Sequence, residues 1–314
     1  MDSRSRAAVL VASAAFLWGT SFPVIKVALG GASDEVSFSF VVSFVRLSLA
    51  AVLGVCVLKA MRRLDWRLFR EPVVWLLGGL NALSFAAQHL GLSYTTASKT
   101  ALLVNFNVVF VAVLGFLFFG ERLGKAKVAG VAMGVAGLAI VATGLNPSFL
   151  NQGQLAGDAL VISAGFLWSL YILYTKKAID RGLDYVGLSV AILAATSLFL
   201  LIPLPFVDVT QSVALSGWAG IAYLGAVSTL LPLVLWSRAL KDTTAVTSSI
   251  LLLLEVFFAV MLSVAFLGEA FLPVYMLGGA LILAGGVLAG VGEPPIGSLG
   301  QRTSKKGRNR IIPR

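Results

Sequence analysis

The sequence FLWG at residues 16–19 recurs as FLWS at residues 166–169, in the second half of the chain. The pair Gly-Glu at residues 120–121 recurs, in the same order, at residues 268–269. Self-similarity of this kind is the mark of a duplicated structural unit. The chain therefore consists of two related halves, and we expect both halves to form the same structure.

The composition excludes a soluble domain and a disordered chain. Of the 314 residues, 58% are apolar and only 12% are charged, whereas soluble proteins carry about 25% charged residues. A helix that spans a bilayer needs roughly 20 mostly apolar residues. The chain contains ten such runs, at residues 7–29, 36–59, 72–92, 96–119, 126–144, 157–178, 185–205, 216–238, 244–267 and 271–291.

Each half of the duplication contains five of these runs. Because five is odd, the second copy must cross the membrane in the opposite direction to the first, as in transporters built from inverted repeats. The sequence predicts an all-α integral membrane protein with ten transmembrane helices in two inverted-topology five-helix repeats. The first repeat is predicted at residues 1–145 and the second at residues 146–291, and residues 292–314 form a basic tail that we expect to be cytoplasmic and disordered.

The positive charges test this topology. With the N-terminus inside, nearly all of the 24 Lys and Arg residues fall in segments that face the cytoplasm. The outer segments 146–156, 206–215 and 268–270 contain none. This positive-inside pattern predicts cytoplasmic N- and C-termini and explains the net charge of +10 by topology, so no nucleic-acid partner is expected. Uncleaved spans and short loops are typical of a multi-pass protein of a bacterial inner membrane.

Residues for metal binding and nucleotide binding are scarce. Cys56 is the single cysteine and His89 the single histidine, so the sequence offers neither a disulfide nor a multi-histidine metal site. The G-x-x-x-x-G-K-[ST] loop of nucleotide-driven proteins is missing as well. We expect no cofactor, no metal and no enzymatic activity, and the predicted partners are a small-molecule substrate and the lipid bilayer.

The order and spacing of several short motifs resemble the drug/metabolite transporter superfamily, specifically its ten-span members with two EamA domains. The motifs are FLWGTSFP at residues 16–23, Gly-Asp at 157–158, Leu-Trp at 167–168 and the two Gly-Glu pairs. The resemblance covers about residues 7–291. It implies a permease that exports small organic metabolites such as amino acids by alternating access, with exchange for protons as one mechanism.

The chain departs from that family's pattern in the fourth and ninth spans. Members usually have a proline in the middle of these spans, whereas this chain has Val108 and Val256. The sequence therefore lacks the residue that would kink these helices.

The same two spans carry polar residues at mid-membrane, where such groups are costly and mark a cavity or a structural pair. Glu255 lies near the middle of its span, and Ser248 shares its helix face. Asn107 and Thr100 are their counterparts in the first repeat. Three roles remain open for Glu255, namely proton coupling, a structural partner or direct substrate contact. Asn107 and Ser248 are candidate substrate ligands.

Arg46 also lies near the middle of its span, on one face with Ser39 and Ser43. A buried arginine requires an anionic partner. Glu255 is one candidate partner, and a carboxylate or phosphate of the substrate is the other. An ion pair with Glu255 would weaken the proton-carrier hypothesis, because the pair favours the charged carboxylate.

Trp18 and Trp168 are predicted near the midplane, on two helices that correspond to each other in the repeats. Tryptophan prefers the membrane interface, so two central tryptophans need an explanation. They either line a cavity for a planar or cationic ligand or pack between the halves. Tyr171 extends the face of Trp168, and Ser21 occupies the equivalent position in the first repeat.

Hinges are predicted where prolines interrupt the spans. Pro23 cannot donate a backbone hydrogen bond and clashes with the carbonyl of Gly19, so a bend is expected between these residues. Thr20 and Ser21 are expected to bond the freed backbone groups. Pro232 is expected to act similarly in the eighth span.

The third span has a polar stripe that ends in Gln88, a candidate substrate ligand, with His89 beside it. A packing role and a proton relay are both open for His89. Glu121 and Glu269 are expected to be structural, at equivalent turns. Small-residue packing faces are predicted in the fifth and tenth spans, and they leave a monomer and a homodimer open; these faces contain Gly130, Gly134, Gly137, Gly278, Gly279, Gly285 and Gly286.

The residues leave several substrate classes open. Amino acids come first, on the family resemblance. Aromatic or cationic compounds follow from the two tryptophans and Glu255, and an anion from Arg46. A lipid-linked sugar flippase is the alternative of a different class.

Overall fold

A computed structural model describes residues 3–21, 23–25, 35–95, 97–146, 148, 155–206, 215–268 and 271–291. This part of the chain is helical throughout its regular structure. The helices are α1 (Ser3–Gly19), α2 (Glu35–Ala60), α3 (Pro72–Leu92), α4a (Ala97–Asn105), α4b (Asn107–Phe118), α5 (Lys125–Thr143), α6 (Leu155–Asp180), α7 (Tyr185–Leu200), α8a (Leu215–Gly225), α8b (Leu231–Ala239), α9a (Ala245–Leu252), α9b (Leu254–Leu267) and α10 (Val274–Val291).

These helices confirm the predicted all-α membrane protein. Within the described residues, nine segments are long and apolar enough to cross a bilayer, and the shorter apolar helix Val274–Gly290 supplies the tenth. The predicted tail 292–314 and Glu269 lie outside the described residues.

The fourth and ninth helices are each interrupted near the middle, although neither contains a proline. The interruption lies at Phe106 between α4a and α4b, and at Leu253 between α9a and α9b. Each has the short backbone bonds of a tightened turn: Phe106 N–H donates to Leu103 at 3.3 Å, and Leu253 N–H donates to Ile250 at 3.2 Å. The missing prolines therefore do not abolish the break.

The glycine faces of α5 and α10 pack against each other within the chain. A Cβ atom on Gly130 would lie 2.5 Å from the carbonyl oxygen of Gly285, and one on Gly137 would lie 2.5 Å from that of Gly278. Only glycine permits such a close approach of two helix backbones. These faces therefore join the two repeats, and they are not available for a contact with a second copy.

The Gly157-Asp158 motif serves a similar close contact between α6 and α3. A Cβ atom on Gly157 would lie 2.8 Å from the carbonyl oxygen of Gly91. Beside it, the hydroxyl of Thr95 donates to Asp158 Oδ1 at 2.9 Å. The motif thus fastens the end of the third span to the start of the sixth.

Candidate substrate site

Arg46 and Glu255 form the centre of the candidate site. Arg46 comes from α2 in the first repeat, and Glu255 from the first turn of α9b in the second. Both side chains lie deep in the helix bundle, yet both keep surface that solvent can reach. From this partial exposure we infer a cleft between the repeats. We call the space bounded by Arg46, Glu255, Phe85, Trp168 and Trp18 the central cleft.

The two opposite charges attract each other but do not form a direct ion pair. Neither side chain has a hydrogen bond to any residue that the structure describes, and Arg46 Nε is buried without a partner. Leaving charged groups unpaired at this depth is costly. Two unpaired, opposite charges are therefore available for a ligand in the cleft.

One wall of the cleft is an aromatic stack that supports Arg46. The guanidinium carbon lies 5.4 Å from the ring centre of Phe85, which is a cation–π contact. Trp168 meets Phe85 edge to face, with ring centres 5.3 Å apart. Its indole N–H donates to Asn81 Oδ1 at 2.9 Å, and Asn81 in turn donates to Thr196 at 3.3 Å. This chain of contacts fixes the orientation of Trp168.

A second aromatic group, formed by Trp236 and Tyr171, lies behind Trp18. The ring centres of Trp18 and Trp236 are 6.4 Å apart, and Trp236 stacks on Tyr171 with ring centres 6.0 Å apart. The indole N–H of Trp236 donates to Ser248 Oγ at 2.9 Å. Ser248 is fully buried and Tyr171 is 7% exposed. In this conformation both residues lie behind the wall, and their contact with a substrate stays a prediction.

Trp236 is a residue that the sequence analysis missed. It lies near the end of the eighth span, where a tryptophan is expected to face the membrane interface. Thr100 and Ser248 are 148 residues apart, and Gln88 and Trp236 have the same separation. Aligning the two repeats with this offset would have identified Trp236 as the counterpart of Gln88.

His89 on α3 contacts two serines of α2 through its ring nitrogens. Its Nδ1 lies 3.0 Å from Ser39 Oγ and its Nε2 lies 3.0 Å from Ser43 Oγ. A neutral imidazole has one donor and one acceptor, so both ring nitrogens are satisfied. These contacts agree with a packing role for His89, and its role as a proton relay stays a prediction.

Gln88 and Asn107 remain open to a ligand. Both side chains are half-buried, and neither amide has a hydrogen bond within the described part of the chain. Gln88 lies one turn from Phe85 on α3, and Asn107 begins α4b at the helix break. Their amides are therefore consistent with the predicted substrate contacts.

The predicted hinge at Gly19 is a close helix contact as well as the end of α1. A Cβ atom on Gly19 would lie 3.0 Å from the carbonyl oxygen of Glu255. This contact sets Trp18 beside the start of α9b. The hydroxyl of Ser21 donates to the carbonyl of Trp18 at 2.5 Å, at the end of the helix, and its contact with a substrate stays a prediction.

The hydroxyl groups near the hinge donate to the carbonyls of Leu17 and Trp18, not to the carbonyl of Gly19. Thr20 donates to the carbonyl of Leu17 at 2.6 Å, and Ser228 from the eighth span donates to the same oxygen at 3.0 Å. Pro23 is buried in the helical segment that follows. The interruption thus forms where predicted, but the carbonyl of Gly19 is not the group that these hydroxyls satisfy.

The predicted hinge at Pro232 coincides with a change in helix geometry. Residues 226–230 form a π-helical turn between α8a and α8b, directly before Pro232. Within it, Thr229 Oγ1 donates to the carbonyl of Leu224 at 2.7 Å. A π turn widens the helix and often marks a functional site.

One end of the central cleft is closed by a contact between the repeats, which we call the Glu121 clasp. The backbone N–H groups of Ala245 and Val246 donate to the Glu121 carboxylate at 2.7 and 3.3 Å. Lys127 Nζ lies 3.8 Å from that carboxylate and donates to Thr244 Oγ1 at 3.0 Å. The residues of the clasp lie at the start of α9a and beyond the end of α4b.

Burial dominates the electrostatics of the clasp. It raises the pKa of Glu121, while the Lys127 ammonium and the two N–H donors oppose that rise. Lys127 has a side chain only 5% exposed, so the pair is shielded from solvent. Removal of either partner of this shielded pair is therefore expected to be costly.

The described helices of the two repeats make less contact at the opposite end of the cleft. At the clasp end, α9a packs against α4b and α6. The corresponding pairs at the other end, α4a with α9b and α4a with α1, have at most slight contact among the described residues. Among the described residues, the repeats therefore pack closely at the clasp end and only slightly at the other end.

A groove of about 590 Å³ lies elsewhere, between α4b and α5. Its walls are apolar, formed by residues such as Val109, Ala112, Val131 and Val135. It offers no polar group to orient a polar solute. The charges of the central cleft make that cleft the candidate site.

Comparison with known proteins identifies the family. The EamA-like transporter family matches residues 5–143 and 155–291. The chain belongs to this family. It is therefore a multi-pass membrane transporter of the drug/metabolite type, and its family is one of transporters, not of enzymes.

Individual relatives agree with this assignment. The chain is 28% identical to a protein of Streptantibioticus cattleyicolor named "probable terminal-alkyne amino-acid exporter", over 86% of this chain and 89% of that protein. It is also 28% identical to an uncharacterized transporter of Archaeoglobus fulgidus, over 90% and 96%. A solved crystal structure, 21% identical, superposes with a TM-score of 0.74 over 91% of this chain and 98% of that chain. This last similarity supports the fold.

Proposed function

We propose that the protein is a secondary active transporter that exports small organic metabolites, such as amino acids, by alternating access. The observation that carries this proposal is the pair of unpaired, opposite charges in the central cleft, one from each repeat. A site shared by two inverted repeats can open alternately to either side. The relative named as a probable amino-acid exporter supports this substrate class.

The proposed location is a cell inner membrane, with both termini in the cytoplasm. The positive-inside pattern of the loops supports this orientation. In this orientation the Glu121 clasp lies on the cytoplasmic side, and the open end of the cleft faces outward. The protein works as a monomer in this proposal, because the glycine faces of α5 and α10 are used within the chain.

Glu255 is the proposed site of proton exchange. Arg46 is the one charged group that acts on it among the described residues. A proton that binds Glu255 from the outside would neutralise the carboxylate and favour release of a cationic group. Deprotonation on the inside would restore the charge for the next substrate. Substrate and proton thus compete for one carboxylate, which is the simplest basis for exchange.

Aromatic or cationic compounds form the second candidate class. Trp18 and Trp168 border the cleft, and a ring face attracts cations. Such a substrate would use Glu255 and leave Arg46 without a counter-charge. A lipid-linked sugar remains the alternative of another class.

The test is solute-induced charge movement in proteoliposomes, for panels of amino acids, organic cations and lipid-linked sugars. Each panel is measured with and without a pH gradient, for the wild type and Glu255→Gln. We expect amino-acid currents that require the gradient and vanish in the variant. Asn107→Asp, at the equivalent position of the first repeat, is the matched control for a change of charge at a helix break. Currents that survive in Glu255→Gln would remove the coupling role of Glu255.

A further inference from the structure

The central cleft contains a balanced set of charges. Arg46 lies over the ring of Phe85 with its Nε buried and without a hydrogen-bond partner, and it is near enough to Glu255 to interact with it electrostatically. The two side chains come from different repeats and do not touch. The cleft is therefore neutral as a whole, but it presents a positive group and a negative group at separate positions.

This arrangement discriminates among ligands by their charge pattern. A simple anion would pair with Arg46 but bring a second negative charge near Glu255. A simple cation would pair with Glu255 but bring a second positive charge near Arg46. A ligand with both charges, separated as in the cleft, satisfies both groups and adds no net charge to a buried site.

We propose that the central cleft binds the charged ends of an α-amino acid zwitterion, with its carboxylate on Arg46 and its ammonium group on Glu255. This inference rests on the proposed function and specifies how its substrate is recognised. Arginine suits a carboxylate because its planar fork can donate two parallel hydrogen bonds. Glutamate suits an ammonium group because a carboxylate only accepts hydrogen bonds and an ammonium group only donates them.

The walls of the cleft are consistent with this assignment. Phe85 supports the guanidinium from one face, and Trp168 is held in place by Asn81. The contact with Phe85 orients the guanidinium group through its face. The N–H donors at its edge therefore remain available to a ligand. Gly19 brings α1 against the backbone of Glu255, so Trp18 borders the negative end of the site. The side chain of the amino acid would then contact the aromatic surface between the two charges.

The test compares matched ligands that lack one charge. Binding of the twenty L-amino acids to the purified full-length protein is measured first by ligand-induced thermal shift. The best amino acid is then compared with the amine that lacks its carboxylate and the acid that lacks its ammonium group. Wild-type protein is expected to bind the amino acid at least 10-fold more tightly than either analogue.

The variants assign each charge to its residue. Arg46→Gln is expected to weaken the amino acid and the acid by roughly 10- to 100-fold and to leave the amine within about 3-fold. Glu255→Gln is expected to weaken the amino acid and the amine by a similar factor and to spare the acid. Arg46→Lys and Glu255→Asp keep the charge but change its geometry, so each should weaken binding less than the corresponding glutamine variant does. The melting temperature of every variant without ligand checks that it is folded.

The outcomes separate this inference from the proposed function. If each variant weakens all three ligands equally, the two residues are structural, and the zwitterion assignment is wrong even when amino-acid transport persists. If an analogue binds as tightly as the amino acid, the second charge has no role and the inference fails. If no amino acid binds while other metabolites are transported, the inference and the amino-acid class fail together, but export by alternating access stands.

Discussion

Breaking the Glu121 clasp is expected to open the closed end of the central cleft. The clasp joins the turn after α4b in the first repeat to the start of α9a in the second. If the transporter alternates as proposed, this end must open during each cycle, and the bonds of the clasp must break. Glu121→Ala removes the acceptor and therefore tests how much these bonds favour the closed end.

The magnitude follows from the contacts that are lost. Glu121→Ala removes two charge-assisted hydrogen bonds, at 2.7 and 3.3 Å, and also removes the carboxylate that lies 3.8 Å from Lys127 Nζ. Such losses cost about 1.5–3 kcal/mol per bond to a charged group, and removal of one partner of a buried pair costs about 3–5 kcal/mol. Because these contributions overlap, we expect a shift of about 3 kcal/mol, which is roughly 100-fold in the ratio of closed to open.

A double variant supplies the matched control. Glu121→Gln combined with Lys127→Met removes both charges and leaves no buried charge unpaired. Because burial already opposes the Glu121 carboxylate, the closed end should lose less than about 1 kcal/mol in this variant. In a cycle made of Glu121→Gln, Lys127→Met and this double variant, the costs of the two single variants should therefore add to more than the cost of the double.

The assay is a spin-label distance measurement across the closed end. Labels are introduced at Lys125→Cys and Lys241→Cys, whose side chains are exposed, in a Cys56→Ser background because Cys56 is also exposed. Wild-type protein should give one short distance, and Glu121→Ala should add a longer one as its main population. A distance distribution that is unchanged in Glu121→Ala, with a lowered melting temperature, would refute the reasoning and leave the clasp as a static helix cap.

Three further predictions follow from the packing and from the clasp. Because burial raises the pKa of Glu121, the closed end is most stable below the usual glutamate range and loses stability as the pH rises through the raised pKa. The long-distance fraction should therefore grow with pH in the wild type and stay constant in Glu121→Gln. Gly137→Ala should lower the melting temperature, because its Cβ would lie 2.5 Å from a backbone oxygen of α10, whereas Gly79→Ala, with its nearest neighbour at 3.6 Å, should raise it by improving helix propensity. Trp236→Phe should cost about 1–2 kcal/mol of stability, measured by chemical unfolding, because Ser248 loses its indole partner, but ligand preference should stay that of the wild type. A changed preference would place Trp236 in contact with the ligand.

The sequence predicts the architecture because its two strongest signals, the apolar runs and the internal repeat, each extend over many residues. Apolar runs of about 20 residues leave a chain few alternatives to crossing the bilayer. The odd number of runs in each repeat then determines the inversion. Helix interruptions are less visible, because the breaks at Phe106 and Leu253 arise from tightened turns that contain neither proline nor glycine.

Individual site residues are harder to predict, because polar groups in a membrane either face a cavity or satisfy one another. Spacing along a helix cannot distinguish these cases. Ser248 and Glu255 share a helix face in the sequence, yet Ser248 is bonded to Trp236, whereas Glu255 has no hydrogen bond within the described chain. The partner that separates them comes from another helix, and its position depends on tertiary packing.

The two repeats differ where the cleft is closed and where it is open. In the second repeat, Trp236 fills the space beside Ser248 and bonds its hydroxyl. The corresponding residues of the first repeat are Gln88 and Thr100. Thr100 Oγ1 is buried without a partner, and the Gln88 amide has no hydrogen bond in the described chain.

An orphaned hydroxyl in the interior is a cost that a single rigid structure has no reason to keep. In a protein built from inverted repeats, the contact made in one half is the template for the contact that the other half makes in the opposite state. The satisfied Trp236–Ser248 pair lies in the repeat that closes its end of the cleft, and the unsatisfied Gln88–Thr100 pair lies in the repeat that leaves its end open. If the protein alternates as proposed, these unsatisfied groups are the expected signature of one of its two states.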